Sequence, residues 1–349
     1  MSPYLKKILV GVALTGVVIG CILAYKIYAV IFSPNTAFSD EKTYIYIRTG
    51  ATFATVKAQL APLLNDESAF EMVARKKEYT ANVKAGKYVI RKGMSNNEIV
   101  NTLRSGNIPV NVIFNNRENP EALAGGIAKQ IEADSLALLN AFKDPQFLRE
   151  QGFTEDNLLT MYIPDTYQFF WNTGAEAFRE RMLKEYRKFW NADRLARAAS
   201  LNLTQGEVAS LAAIVQKETA KPEERPRVAG VYLNRLKDGM LLQADPTVIY
   251  ALKKHTGNFD TVIRRVLYKD LELDSPYNTY KYAGLPPGPI TMPDVASLDA
   301  VLQAEKHEYY YFVVDTENPG YHKFARTLAQ HNRNKATYTQ WLKQQKIFR

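Results

Sequence analysis

"LAAIVQKETAKPEE", residues 211 to 224, is an apolar helical stretch that ends on a carboxylate, Glu218, with two more glutamates just past a proline. The helix has a legible start: Thr204 followed three residues later by Glu207 is a capping box. Val208, Leu211, Ala212 and Val215 then recur at helical spacing and predict one buried stripe. At about 100° per residue, Glu218 falls near Leu211 and Ile214 on the flank of that stripe, and Lys217 points away. Apolar neighbours would desolvate Glu218, raise its pKa and let it carry a proton at neutral pH. Pro222 and the irregular "KPEE" leave room beside it. Glu207 lies about 16 Å away by helix rise, too far to share one bond-breaking event. By spacing alone, a glutamate in this position is more often a solvated charge at the helix end.

Working outward, the chain has 349 residues, enough for two or three domains. Its composition, 46% hydrophobic and 23% charged, predicts packed cores rather than disorder. The net charge of +9 favours an anionic partner: membrane headgroups, nucleic acid or an acidic polymer. No zinc-finger spacing, phosphate-binding glycine loop or aromatic RNA-binding motif supports nucleic acid. Cys21 is the single cysteine, which excludes an intrachain disulfide and a thiol nucleophile further along the chain.

Residues 1 to 33 read as a cytoplasmic start and a transmembrane anchor. Lys6 and Lys7 precede "ILVGVALTGVVIGCILAY", residues 8 to 25, which is uncharged and about long enough to cross a bilayer. With Lys26 at the interface, the apolar stretch runs on to Phe32. The leading lysines put the N-terminus in the cytoplasm and the body outside it. A cleaved signal peptide lacks an A-x-A site here. The lipobox-like "VIGC", residues 18 to 21, is followed by more apolar sequence instead of a polar turn. All three readings export the body of the protein.

Residues 34 to 107 read as a polar linker (35 to 42) and a small module. Strand-like "YIYI", a helix opened by Gly50 and Thr52, the helical "SAFEMVARKK" and strand-like "GKYVIRKG" follow one another. That β-α-α-β order resembles the LysM module, which binds N-acetylglucosamine polymers; a small packing domain without ligand is the competing reading. A further helix opens on the capping box Ser95–Glu98. Residues 108 to 349 form the larger domain. It starts with the strand "PVNVIFNN" and is mostly helical to about 236, interrupted by an aromatic-rich loop "MYIPDTYQFFWNTG". A long irregular Gly/Pro segment follows, then a short helix near 295 to 304, the strand "YYYFVVD" and a terminal helix. Segregated helices and strands make the fold class α+β.

Four stretches beyond the opening one carry a family resemblance: "RVAGVYLNRLKDGMLLQADPTVIYAL", "SPYNTYKYAGLPPGPI", "YYYFVVDTENPGYHKFARTLAQHN" and "PDTY" at 164 to 167. With "AAIVQKETA" they resemble, in order over residues 160 to 335, the endolytic murein transglycosylase (YceG-like) family. The resemblance implies cleavage of the β-1,4 bond between N-acetylmuramic acid and N-acetylglucosamine inside peptidoglycan strands. The muramic C6 hydroxyl attacks its own anomeric carbon and leaves a 1,6-anhydro end. It implies that Glu218 is the catalytic acid and then base, with no cofactor and no metal.

Asn234 is then a donor to sugar or to Glu218, and Gln243, Asp245 and Thr247 are substrate contacts, with Asp245 equally a turn residue before Pro246. Tyr277, Asn278, Thr279 and Tyr280 suit acetamido and hydroxyl groups. The "GLPPGPI" loop reads as a rigid cleft wall, and His322 as a substrate-polarising or structural histidine. Gln216 stands where the family often has a second glutamate, and Ala325 where it often has serine. The implied partners are peptidoglycan glycan strands, the membrane through the N-terminal helix, and glycan synthases with elongation or division proteins. A noncatalytic peptidoglycan-binding protein and a hydrolytic muramidase with a second carboxylate are the competing functions.

Overall fold

The computed structural model describes residues 2 to 345. The chain divides into two compact units. The first runs to Val112 and takes in Gln130–Ala133 and Tyr167–Thr173; the second holds Ile113–Lys129, Asp134–Thr166 and the chain from Gly174 onward.

The first unit begins with α1 (Pro3–Phe32), a helix of 30 residues with no buried residue. It is the one described helix long and apolar enough to cross a membrane. Next come β1 (Lys42–Ile47), α2 (Phe53–Leu60), α3 (Glu67–Lys76), β2 (Gly86–Arg91), α4 (Asn96–Ser105) and β3 (Pro109–Phe114), the last crossing into the second unit. β1 and β2 pair antiparallel, Lys42 opposite Arg91 and Ile47 opposite Gly86. Ile45 and Ile47 face inward onto Phe70 and Val73 of α3 and Ile99 and Leu103 of α4. The predicted caps form: Thr52 accepts from the Thr55 N–H, and Ser95 and Glu98 close their capping box.

One residue of the stretch read as a polar linker, 35 to 42, departs from that reading: Asn35 is buried. Its side chain donates to Asp66 O (2.8 Å) and Asn96 Oδ1 (2.6 Å) and accepts from the Asp66 N–H (2.8 Å). Asn96 in turn donates to Val30 O on α1 (2.8 Å). A polar residue reads as a linker by composition; here its amide satisfies buried backbone groups and ties the last turn of α1 to the module.

The chain continues with α5 (Pro120–Ala128), α6 (Ser135–Phe142), α7 (Pro145–Gln151), β4 (Asp165–Phe170, which belongs to the first unit from Tyr167 on), and then, in the second unit, α8 (Ala175–Phe189), α9 (Ala192–Ser200), α10 (Gln205–Glu218), α11 (Arg225–Lys237), α12 (Asp245–Thr256), α13 (Val295–Leu302), β5 (Tyr311–Val314), β6 (His322–Ala325) and α14 (Leu328–Gln344). β5 and β6 form an antiparallel hairpin, Tyr311 opposite Ala325 and Val314 opposite His322. The aromatic stretch expected as a loop contains a strand, β4, which pairs with β3. Pro164 ends before that strand begins and therefore does not break it.

The second unit is built around α10. A single buried stripe was predicted, yet positions 208 to 215 are all buried. The helix packs against α9, α11, α12 and α13, so its whole circumference meets protein. Alanines at 209, 212 and 213 and Ser210 let the neighbours approach where larger side chains would hold them apart.

Candidate functional site

α10 ends at Glu218, whose following residue, Thr219, is extended and buried. The chain then turns through a 3-10 turn at Pro222–Glu224 into α11. That reversal brings Tyr232 of α11 back over the end of α10, and Tyr232 Oη donates to Glu218 Oε1 at 2.9 Å. Glu218 keeps an accessible edge but is otherwise enclosed by protein. Burial is the main cause that pushes its carboxyl up to about 7. The Tyr232 hydrogen bond opposes the rise, the negative charge of Asp245 adds to it, and the charges of His322 and Arg235 pull it back. Lys217 points elsewhere and forms an ion pair with Glu118 (2.7 Å), which also holds Lys253 (2.7 Å). Glu207 is committed to the cap at the far end of the helix.

His322 stands at the start of β6, and its geometry is set by Glu224. The buried Glu224 carboxylate accepts from the His322 backbone N–H (2.7 Å) and is 2.8 Å from Nδ1. Burial would raise the Glu224 pKa, but the two His322 hydrogen bonds and the imidazole charge outweigh it and hold the group below its ordinary value. An Nδ1 proton facing this carboxylate leaves Nε2 as the ring nitrogen available to a ligand. Phe312 packs edge-on against both the His322 ring (5.1 Å) and the Tyr232 ring (6.0 Å). Glu223, Glu224, Arg227, Asp315, Asn318, Tyr321 and His322 line a polar cleft here.

The other predicted residues fall into two groups. Asp245, in the first turn of α12, is exposed and accepts from Tyr280 Oη at 2.5 Å. Gln243 is exposed and holds a left-handed backbone, φ 48°, with its N–H on Thr279 O (3.0 Å). Asp245 and His322 lie near enough for their charges to act on Glu218, and Tyr280 joins Asp245 there.

The second group is turned into the protein. Asn234 does not reach Glu218: its amide donates to the carbonyls of His307 (2.9 Å) and Tyr309 (3.0 Å), so both hydrogens are committed. Thr247 and Thr279 are buried and bonded to each other (2.8 Å), and Thr279 Oγ1 accepts from the Ala244 N–H (3.0 Å). Asn278 is fully buried and donates to Leu271 O and Leu273 O (2.9 and 2.8 Å). Tyr277 is buried against Tyr250 and donates to Asp156 Oδ1 (3.1 Å). Polar types in "DPT" and "YNT" suggested contact with sugar; in the structure Thr247 and Thr279 bond to each other behind the Gln243–Asp245 turn, while Tyr277 and Asn278 are committed to Asp156 and to the Leu271 and Leu273 carbonyls.

The "GLPPGPI" loop packs closely on the chain at Asp156. A Cβ on Gly288 would lie 1.9 Å from Asp156 O, so only glycine permits this approach. Gln216, where a second glutamate was noted as frequent, accepts from the Asp294 N–H (2.7 Å) and supports the start of α13. Sequence reasoning missed Tyr232 and Glu224. Tyr232 follows helix spacing like any core aromatic, and Glu224 reads as a surface charge beside Glu223. Among the described residues no group of three His, Cys, Asp or Glu side chains is arranged to hold a metal ion.

The model of the YceG-like family matches residues 45–337. The chain is 30% identical over 323 residues to a Bacillus subtilis protein named endolytic murein transglycosylase, covering 86% of each chain. It is 28% identical over 337 residues to a Streptococcus pneumoniae protein of the same name. That match takes in 87% of this chain but 60% of the streptococcal one. A crystal structure of a YceG-like protein from Listeria monocytogenes is similar with a TM-score of 0.56 and 28% identity, covering 84% of this chain and 99% of that one.

Proposed function

This chain belongs to the YceG-like family, and from that membership and the surroundings of Glu218 we propose that it is an endolytic murein transglycosylase. The substrate is the peptidoglycan glycan strand, and the bond cut joins C1 of N-acetylmuramic acid to O4 of N-acetylglucosamine. Glu218 gives its proton to the departing O4. It then takes the proton of the muramic C6 hydroxyl as that oxygen bonds to C1. The carboxyl ends protonated again, and the products are a free 4-hydroxyl and a 1,6-anhydro end. An attacking group already within the substrate makes a single acid–base carboxyl sufficient, where hydrolases usually need two.

The observation that carries this reading is a buried, tyrosine-bound carboxyl with a pKa of about 7, poised to donate and accept near neutral pH. Asp245, Tyr280, Gln243 and His322 are the side chains we assign to substrate. Tyr277, Asn278, Thr279, Thr247 and Asn234 hold the frame behind them. The strained backbone at Gln243 fits a position kept for its place in a site.

In the same reading α1 is a single-pass anchor with its N-terminus in the cytoplasm. The catalytic unit acts outside the membrane, where it terminates nascent strands beside glycan synthases and elongation or division proteins. The β1-α2-α3-β2 order of the small unit is LysM-like.

Digestion of purified peptidoglycan by the full chain and by Glu218→Gln, followed by mass analysis, tests the activity. Anhydro ends that vanish in the variant support it. Reducing ends would mean hydrolysis with Asp245 as the second carboxylate, and intact glycan that still binds would mean a binding protein.

A further inference from the structure

The last two turns of α1 do not stand clear of the first unit. Val30 and Ile31 pack on its core, and α1 touches α3 and α4. Between α1 and α3 runs an apolar groove walled by Ile27, Val30, Ile31, Met72 and Val73 and edged by Lys26, Lys76 and Lys77. Met72 is 61% exposed. It sits four residues before Lys76, on the same side of α3, while Phe70, Val73 and Ala74 face the core. Arg75 is tied to Glu71, and Lys77 donates to Asn101. Lys26 and Lys76 are exposed, and among the described residues neither has a carboxylate partner in an ion pair. At the same level α1 carries two of its three tyrosines, Tyr25 and Tyr28, both exposed, and Phe32 against Tyr28. Aromatic rings and lysines mark the water–hydrocarbon boundary on a spanning helix. Residues 8 to 25 span about 27 Å, which puts that boundary at Lys26.

We propose that this face of the small unit is a lipid-binding surface: Met72 enters the outer edge of the bilayer, and Lys26 and Lys76 bind anionic phospholipid headgroups. The proposal rests on α1 being a membrane span. The groove's apolar walls continue directly into α1, so the bilayer that receives the helix also covers the groove. The tie from Asn96 to Val30 O and the buried Asn35 hold α3 at that depth. α3 lies at the surface like an interfacial helix, by Met72 and Lys76, with Lys26 of α1 beside them.

The test uses the full chain with Cys21→Ser, which leaves it without thiols, and single cysteines carrying an environment-sensitive fluorophore. Labels go at Met72→Cys, at Val17→Cys within α1, and at Tyr44→Cys on the sheet face turned away from the core. The protein is reconstituted in phosphatidylcholine vesicles, with and without phosphatidylglycerol at roughly 2:1. Shallow quencher lipids should extinguish the Met72 label and not the Tyr44 label. Emission at Met72 should shift blue with phosphatidylglycerol, and Lys26→Gln/Lys76→Gln should reverse that shift. A Met72 label as wet and unquenched as the Tyr44 label, with the Val17 label quenched at depth, overturns the proposal and leaves the anchor standing. An unquenched Val17 label overturns both.

Discussion

Tyr232 Oη donates to Glu218 Oε1 at 2.9 Å, from the third turn of one helix to the last residue of another. The bond favours the ionised carboxyl, while burial favours the protonated one, and the balance leaves the group near pH 7. Tyr232→Phe removes only the donor. The pH limb on which activity falls with loss of the acid proton should move upward. The rate near neutral pH should drop on the order of tenfold, since the bond also places the carboxyl. A pH–rate profile on purified glycan checks both; an unmoved limb would mean the tyrosine is only packing.

Asp245 acts in the opposite sense. Its charge raises the Glu218 pKa, so Asp245→Asn should move the same limb downward. The loss should be a few-fold at pH 7 and smaller at pH 5. The limb position is again the readout, and Tyr280→Phe, which frees Asp245 of its hydrogen bond, controls for a mere change of shape.

Glu218 also makes stability depend on pH. Below about 4.5 the carboxyl is protonated folded and unfolded alike, and no penalty exists. Between 4.5 and about 7 the unfolded chain ionises while the folded one keeps its proton, so stability falls as pH rises, and above 7 the full penalty remains. The loss is on the order of 3 kcal/mol. Glu218→Gln should therefore melt several degrees above the parent at pH 8 and close to it at pH 4.5. Thermal unfolding at the two pH values decides it.

Gly288 tests the packing of its loop. Its missing Cβ is what allows the loop to lie on Asp156 O. Gly288→Ala should cost about 1 to 3 kcal/mol by overpacking. Calorimetry should show a lower melting temperature, and the Glu218-dependent pH limb should stay where it is.

Read alone, residues 204 to 218 carry a capping box, a helix and a carboxylate at its end, and these depend only on neighbours within a turn or two. The same locality makes the apolar segment of α1, the order β1-α2-α3-β2 and the caps at Thr52 and Ser95 legible. The motifs from "PDTY" to "YHKF" carry family membership, because order and residue type are properties of sequence. Burial is not. That α10 is enclosed all round, that Asn35 is a buried tie and that Asn278 and Thr279 face inward follow from elements tens of residues away. The pairing of Glu218 with Tyr232 and of His322 with Glu224, 98 positions apart, likewise exists only once α11 and the β5–β6 hairpin close over the end of α10. A carboxyl's pKa is set by what surrounds it in space, so the sequence alone decides which acid is present, and the tertiary structure decides whether it holds a proton at neutral pH.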